Sequence, residues 1–311
     1  MKLRLHALTW AARDALLLEL RAPDGSALPP FTAGSHVDLH LPNGLVRQYS
    51  LANDPAERHR YVLGIKRDRL SRGGSRCVHD TLRLGELLEV GGPRNNFTLA
   101  ETAPHSVFIA GGIGITPLRC MAQRALALGH SWELHYAVRT RDEALFLEDF
   151  APLGQVHLHV DGENGGQPMD LAAIAASAPT GSHAYCCGPA PMLDAFGAVF
   201  AAWPASRRHV EHFSAPAGAQ EPGGAFTVVL ARSGRSVPVG ADQSLLDALC
   251  AAGVAATSSC RQGICGACEV QVLAGVPDHR DILLSEEERA SGKSMLICCS
   301  RSRSPELVLD L

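Results

Sequence analysis

The sequence has no basic tract and no long apolar run. Its 28 Lys and Arg residues against 32 Asp and Glu residues give a formal net charge of −4, so nothing points to nucleic acid or an anionic membrane as a partner. No apolar stretch approaches the roughly 18 residues that a transmembrane helix needs. Residues 1–20 are broken by charges and lack the apolar core of a signal peptide. We therefore expect a cytoplasmic protein that binds neither nucleic acid nor membranes.

Disulfides are also expected to be absent. The ten cysteines would stay reduced in the cytosol, so ligand-like spacing indicates a metal site. In "SSCRQGICGAC", Cys260, Cys265 and Cys268 show the C-x4-C-x2-C spacing that, completed by a distant cysteine, is typical of a plant-type [2Fe–2S] cluster. Structural zinc is the alternative, but zinc motifs usually pair two C-x2-C knuckles. Gly263 and Gly266 would let the backbone approach the sulfurs.

The fourth cluster ligand has two candidates. Cys298 and Cys299 lie downstream in "MLICCSR", which we expect to be a strand. Adjacent side chains of a strand point to opposite faces, so only one of the two would face the cluster. The spacing alone does not choose between them.

The pattern of strands, helices and turns predicts three domains and a linker. Residues 1–102 contain short strand-like runs, such as "HVDLHL" and "RYVLGIKR", and predict a β-barrel or sandwich. Residues 103–213 alternate strands with helices, which predicts a parallel sheet covered on both faces. Residues 214–224, "SAPAGAQEPGG", form a linker. Residues 225–311 contain a hairpin, a helix, the cysteine loop and closing strands.

Two short motifs in the first domain predict a flavin site. In "RQYS", Arg47 could pair with the flavin phosphate, Tyr49 could pack on the ring, and Ser50 could hydrogen-bond near flavin N5. For an isolated match, the motif would be only a strand with an exposed arginine and a half-buried tyrosine. The loop "RGGS" follows in the same domain, and three of its residues could cradle the phosphate: Gly73, Gly74 and Ser75. The residues themselves leave FMN and FAD both open.

Two Gly- or Pro-rich turns in the second domain predict a nicotinamide site. The usual G-x-G-x-x-G fingerprint is absent, but "GGIGITP" and "YCCGPAPML" each join a strand to a helix. Both turns would lie at the carboxyl end of a parallel sheet, where ligands bind, and a helix N-terminus there favours a pyrophosphate. Either turn alone would be no more than a turn. Together they supply Gly111, Gly112, Gly114, Thr116, Pro117, Cys187, Gly188, Pro189 and Met192.

Along its whole length the chain resembles the phthalate dioxygenase reductase family. The resemblance is carried by "TSSCRQGICGACEVQVLAGVPDHRDILLSEEE", by the "LVLDL" ending and by the flavin and nicotinamide motifs. It implies a flavin-binding antiparallel β-barrel, a doubly wound parallel α/β domain and a C-terminal β-grasp ferredoxin domain. It also implies FMN rather than FAD, NADH as the electron donor, and Cys298 as the fourth cluster ligand, with Cys299 at an ordinary strand position.

The resemblance implies roles for single residues as well. Thr116 would lie near the flavin and the nicotinamide, and Cys187 would line the hydride path. A nucleophilic Cys187 has no support, since no base stands near it in sequence. Phe213 matches an aromatic residue that covers the flavin until nicotinamide displaces it, and the alternative is a core phenylalanine. With Ser50 these three form the implied catalytic set, while Gln48 and Lys66 join the cofactor-binding residues.

Two arginines and the histidines are expected to have no ligand-binding role. Arg139 and Arg141 could bind a 2′-phosphate, which would favour NADPH, but arginines on a loop are usually solvated, so we expect NADH. The 14 histidines are scattered along strands, as in "VHLHV", and are expected to fill or face the sheet rather than bind metal. No H-x3-H set indicates a mononuclear iron site.

Together the motifs predict an NADH-dependent reductase. NADH gives two electrons as hydride, a [2Fe–2S] cluster accepts one at a time, and a flavin can do both. The chain lacks a C-x-H…C-x2-H motif, so the main hypothesis is the monomeric reductase of a Rieske-type aromatic oxygenase or demethylase that is a separate chain. One alternative is an iron–sulfur flavoprotein that serves another acceptor, such as a different monooxygenase. A carrier without hydride chemistry and a self-sufficient oxygenase are disfavoured.

Overall fold

The structure of the protein is a computed structural model that describes residues 1–69, 71–150, 155–215 and 221–311. The chain divides into two compact units, Met1–Glu211 and His212–Leu311. Among the described residues, no helix combines the length and the apolar composition needed to cross a membrane. The predicted linker begins near the division between the units, and its residues 216–220 lie outside the described residues. The predicted boundary between residues 102 and 103 falls inside the first unit and stays a prediction.

An antiparallel β-barrel occupies the beginning of the first unit. Its strands pair in the order β4-β3-β6-β1-β2-β5, and a bridge between Leu51 and Leu63 joins the two edges of this sheet. Closure removes the exposed edges that an open sheet would leave. The elements are β1 (Lys2–Ala12), β2 (Ala15–Arg21), β3 (His36–His40), β4 (Val46–Ser50), β5 (Tyr61–Lys66), α1 (Gly74–Asp80) and β6 (Leu87–Arg94). The predicted flavin-type barrel is confirmed.

A parallel sheet follows in the same unit. The elements are β7 (Ser106–Gly111), α2 (Ile115–Ala127), β8 (Trp132–Val138), α3 (Leu147–Phe150), β9 (Val156–Val160), α4 (Leu171–Ser177), β10 (His183–Cys187), α5 (Ala190–Val199) and β11 (Arg208–Glu211). Short 3₁₀ helices cover Gly112–Gly114, Arg141–Glu143, Asp161–Glu163 and Ala205–Arg207. Helix α2 packs into the core on one face of the sheet, while α4 and α5 pack into a separate core. This is the doubly wound arrangement that the alternating pattern predicts.

The strand order of this sheet explains where its ligand site lies. The order is β11-β10-β7-β8-β9, so the chain runs outward from β7 in one direction and then from β10 in the other. In such sheets the crevice beyond the carboxyl ends of the two central strands binds ligands. The two glycine-bearing turns follow β7 and β10, and both therefore lie at this switch point.

The second unit contains a mixed sheet and two short helices. Residues 221–311 form β12 (Phe226–Leu230), β13 (Arg235–Val239), α6 (Leu245–Ala251), β14 (Glu269–Ala274), β15 (Pro277–Asp278), α7 (Glu286–Ser291), β16 (Ser294–Leu296), β17 (Arg301–Ser302) and β18 (Glu306–Leu309). The main sheet has the order β13-β12-β18-β14-β16. Ser244 caps α6, and Ser285 forms a capping box with Glu288 at α7.

One expected strand of the second unit is wrong. The run "MLICCSR" is extended only as far as Leu296, and residues 297–299 form a turn. The carbonyl oxygen of Leu296 accepts the N–H groups of both Cys299 and Ser300, at 3.4 and 3.0 Å, which bends the chain. Side chains in a turn do not alternate as they do in a strand. Strand alternation therefore cannot decide between Cys298 and Cys299.

Candidate active site and metal centre

Arg47 lies against the first turn of α1, beside the glycine loop. Gly73 precedes the helix with φ of 92°, a conformation that favours glycine. A Cβ built on Gly74 would lie 2.8 Å from Nε of Arg47, so only a glycine allows the helix to begin this close to the guanidinium. The Ser75 hydroxyl accepts the N–H of Asp68 at 3.1 Å. The structure thus brings four predicted phosphate-binding residues together, and a cation beside a helix N-terminus suits an anion.

The remaining barrel residues have different surroundings. Tyr49 is half-buried, and burial raises its pKa to about 12, so its phenol is neutral. Gln48 donates to Asp38 at 2.7 Å and is thereby held in place. Lys66 forms an ion pair with Glu143 at 2.8 Å. Its ammonium group therefore already has a protein partner, which weakens the case that Lys66 binds the cofactor.

Glu211 joins the barrel to the parallel sheet. The Ser50 hydroxyl at the end of β4 donates to Glu211 Oε2 at 3.4 Å, and the Cys187 thiol donates to the same oxygen at 3.9 Å. Cys187 and Glu211 are paired in the register of β10 and β11, at the last residue of each strand. Two predicted catalytic residues thus meet on one carboxyl oxygen. Glu211 was not among the predicted site residues, and its only signal in the sequence is its place at the end of the last strand-like run before the linker.

The pKa shifts at this junction show which groups are neutral. Burial raises the pKa of Glu211 to about 8, although hydrogen bonds from Ser50 and Cys187 oppose the rise. Burial also raises the pKa of Cys187 well above its ordinary value, and the neighbouring Glu211 carboxylate adds to this effect. At pH 7 Cys187 is therefore a thiol rather than a thiolate, which opposes a nucleophilic role.

The two glycine-bearing turns pack directly on each other. A Cβ on Gly114 would lie 2.0 Å from the carbonyl oxygen of Cys187, and a Cβ on Gly111 would lie 2.6 Å from Cδ of Pro189 and 2.9 Å from Sδ of Met192. The Cα of Gly188 also lies in this contact. No side chain fits between the turns, so the backbone itself forms the floor of the crevice at the switch point.

Thr116 and its neighbours fasten this crevice to the barrel. The methyl group of Thr116 faces the barrel residue Gly64, where a Cβ would lie 2.6 Å away, and its hydroxyl donates to the carbonyl oxygen of Ile113 at 3.0 Å. Pro117 is buried in the first turn of α2. Gly112 has φ of 53° with no atom within 4 Å of a Cβ position, so it turns the chain without packing against the second turn. These contacts hold the start of α2 against the barrel.

Gly114→Ala should disturb this crevice. The added methyl group would meet backbone rather than a flexible side chain, so we expect a loss of about 2 kcal/mol in stability and a raised KM for NADH. Thermal unfolding and NADH-driven ferricyanide reduction would measure both effects. Gly197→Ala in α5 is the matched control, because no atom lies within 4 Å of its Cβ position. Equal melting temperatures and KM values for the two variants would contradict the packing argument.

In the second unit, buried thiols surround the cysteine loop. Cys260, Cys265, Cys268, Cys298 and Cys299 are each between 3% and 5% exposed, and none is in a disulfide. The Gln262 N–H donates to the Cys260 sulfur at 3.3 Å. Gly263 has φ of 72°, and a Cβ there would lie 2.5 Å from the Cys299 sulfur. The 297–299 turn is therefore packed against the loop, as a four-thiolate site requires.

Phe213 is the one predicted catalytic residue outside these groups. It lies in the second unit, directly after the strand that ends at Glu211, and its side chain is 42% exposed. An exposed aromatic ring is not the core phenylalanine of the alternative interpretation. Its role over the flavin stays a prediction.

These sites define an oxidoreductase that binds a nicotinamide nucleotide and an iron–sulfur cluster. Residues 108–197 match the family model described as an oxidoreductase NAD-binding domain, and residues 228–303 match the one described as a 2Fe-2S iron-sulfur cluster binding domain. The chain is 56% identical to phenoxybenzoate dioxygenase subunit beta of Ectopseudomonas oleovorans, over 100% of this chain and 97% of that protein. It belongs to the phthalate dioxygenase reductase-like family.

Solved structures of other proteins also match this chain over its whole length. The structure of phthalate dioxygenase reductase is 38% identical with a TM-score of 0.75, and the match covers 100% of this chain and 98% of that one. An intact type IV self-sufficient cytochrome P450 monooxygenase is 44% identical with a TM-score of 0.90. The match covers 100% of this chain but 41% of the P450 chain, so this chain spans less than half of that protein.

The family assigns three cofactors to the chain: NADH, FMN and a [2Fe–2S] cluster. The residues present fit each group. Arg47 beside the glycine loop fits a phosphate, the bare backbone at Gly111 and Gly114 fits a closely approaching nicotinamide nucleotide, and the buried thiols fit a cluster.

Proposed function

We propose that the protein is the NADH-dependent reductase of a Rieske-type oxygenase or demethylase that acts on an aromatic compound and is a separate chain. The junction at Glu211 carries this proposal, because it brings the barrel residue Ser50 and the nicotinamide-turn residue Cys187 onto one oxygen. Hydride transfer requires its two partners to be held in contact. A flavin held in the barrel and a nicotinamide at the turns would meet here.

The site residues of the first unit have distinct roles in this arrangement. Arg47 and the 73–75 loop hold the phosphate end of the flavin nucleotide, and Gly111 with Gly114 keeps the crevice open for the nicotinamide. Cys187 forms one wall of this crevice as a neutral thiol, and Glu211 holds a proton near neutral pH. The bound flavin supplies the exchange between a two-electron donor and one-electron acceptors.

The second unit holds the cluster that passes single electrons to the acceptor. Cys260, Cys265, Cys268 and Cys298 are the ligands that we assign to the cluster, and their burial keeps water away from the sulfurs. Burial and hydrogen bonds to the sulfurs are among the features that set the reduction potential of such clusters. The N–H of Gln262 is one such donor.

The surroundings of Arg141 support NADH over NADPH. Two of its three guanidinium nitrogens, Nε and Nη2, donate to the Glu163 carboxylate, at 3.0 and 2.7 Å. One of the two arginines that could bind a 2′-phosphate is therefore paired with an acid, which would also repel that phosphate.

The relatives and the cysteines support the remaining parts of the proposal. The relative of Ectopseudomonas oleovorans is named as a subunit of a dioxygenase, which supports a separate oxygenase as the partner. We further propose that this oxygenase is of the Rieske type and that the reductase itself is a monomer. None of the ten cysteines is in a disulfide, which is consistent with a reducing cytoplasm.

A haem monooxygenase is the second candidate acceptor. It is favoured by the similarity to the self-sufficient P450 monooxygenase, in which a segment like this chain makes up 41% of the P450 chain. Rapid mixing of the reduced protein with a purified Rieske oxygenase and with a ferric P450 would compare the two acceptors. Faster transfer to the P450 would favour this second candidate.

An anaerobic titration with NADH tests the proposed electron path. The flavin takes two electrons and the cluster takes one, so bleaching of both absorption bands should need about 1.5 NADH per chain. A Cys260→Ser variant should stop at about one equivalent, because only the flavin would remain. A protein that shows no bleaching with both cofactors bound would refute the proposed function.

A further inference from the structure

Three side chains with metal-binding groups converge on strands β8 and β9. His135 and His157 are direct partners in the parallel register of the two strands, and their rings stack with centroids 4.8 Å apart. Glu133 lies two residues before His135, on the same face of β8. One ligand atom from each of the three lies within 4.8 Å of the others. Rotation of the two imidazoles out of this stack would bring all three donors within bonding distance of one ion.

Two imidazole nitrogens at this cluster are buried without a hydrogen-bond partner. Nε2 of His135 lies 3.6 Å from one carboxylate oxygen of Glu133, and Nε2 of His105 lies 3.8 Å from the other oxygen. Neither nitrogen makes a hydrogen bond. A buried polar atom without a partner is costly and rare in native proteins. The two nitrogens are therefore candidates to bind an ion or to support one.

We propose that Glu133, His135 and His157 bind a divalent transition-metal ion of the zinc class. Two imidazoles and one carboxylate form a donor set that zinc uses, with its fourth position open to water. Calcium and magnesium prefer oxygen ligands and do not suit two imidazoles. His105 supports the site from outside, because its Nδ1 is fixed by Ser131 Oγ at 2.7 Å while Nε2 faces Glu133.

The position of the cluster points to stabilisation of the sheet edge rather than to electron transfer. Glu133 and His135 are the second and fourth of the seven residues of β8, away from the carboxyl end at the nicotinamide crevice. Strand β9 is an edge strand of the sheet, and edges open more readily than central strands. His157 is exposed, so an ion can enter from solvent. The bound ion ties the edge strand to its neighbour.

Zinc titration of the holoprotein tests this site. The protein should carry its flavin and its cluster, so that the cysteine loop is already filled. Calorimetry should show one zinc per chain. X-ray absorption should show nitrogen and oxygen neighbours at about 2.0–2.1 Å with outer imidazole scattering, whereas a cysteine site would show sulfur at about 2.3 Å.

Variants give the matched comparison. His157→Asn removes an exposed ligand and should weaken zinc affinity about 100-fold or more, and His105→Ala should weaken it about tenfold. His159→Asn is the control. This histidine stands on the same strand and face but contacts the carbonyl oxygen of Gln167 and lies outside the cluster, so its loss should leave affinity unchanged.

Three outcomes would overturn the proposal: no zinc bound by the loaded wild-type protein, unchanged affinity in His157→Asn, or sulfur in the metal shell. NADH-driven ferricyanide reduction should be the same in His157→Asn and wild type. A defect there would mean that the cluster belongs to the electron path, against the role proposed for it.

Discussion

Cys298→Ser should lose the [2Fe–2S] cluster, while Cys299→Ser should keep it. Serine is close to cysteine in size but lacks the soft thiolate that iron–sulfur clusters require. The Cys298→Ser protein should lose the red-brown colour and its iron. NADH-driven cytochrome c reduction should fall about 100-fold or more, since removing groups that merely support a metal ligand already costs 10–100-fold. Ferricyanide reduction, which the flavin alone supports, should survive.

Cys298→Ser and Cys299→Ser are matched variants, because both thiols are buried beside the cysteine loop. The Cys299 thiol has protein neighbours of its own, the carbonyl oxygen of Leu296 at 3.8 Å and the hydroxyl of Ser300 at 3.9 Å. It also fills the space over Gly263. A serine at position 299 can keep these contacts, so the variant should fold. If Cys299→Ser loses the cluster and Cys298→Ser retains it, the assignment of the fourth ligand is reversed.

Most of the fold was predictable from local sequence patterns. The alternation in β3, the strand-forming run of β5, the glycines after β7 and the cap at Ser244 each depend on residues within one short stretch. Strand period, turn chemistry and capping are local effects that a sequence displays directly. The barrel, the parallel sheet and the caps were predictable for that reason.

Register between strands was not predictable. Glu211 reaches Cys187 only because β10 and β11 pair with those two residues opposite each other, and His135 meets His157 through the pairing of β8 and β9. Nothing in either strand alone shows its partner's register. The strand predicted over "MLICCSR" was wrong for a related reason. The run is apolar enough for a strand, but hydrogen bonds to the carbonyl oxygen of Leu296 bend the chain into a turn at residues 297–299.

Glu211→Ala should reduce NADH-driven ferricyanide reduction about 100-fold, within the range typical of a positioned acid–base group. The loss has two causes. Ser50 and Cys187 lose the oxygen that holds them together, and the site loses a proton that burial retains, since the pKa of Glu211 is raised from 4.5 to about 8. Glu211→Gln, a neutral group of the same shape, should keep much of the wild-type rate at pH 7.

The pH profile separates a proton-holding Glu211 from a merely structural one. Below pH 8 the wild-type carboxyl is neutral; above it, a buried negative charge would oppose the arriving electron pair, so the wild-type rate should fall as pH rises through about 8. Glu211→Gln cannot ionise and should lack this fall. Folding stability should change with pH in the same direction as the rate. The unfolded chain releases this proton near pH 4.5 and the folded chain near 8, so the folding stability of the wild type should decline as pH rises across that interval. Glu211→Gln should lack this contribution. Parallel pH profiles for the two proteins would show that Glu211 only spaces its neighbours.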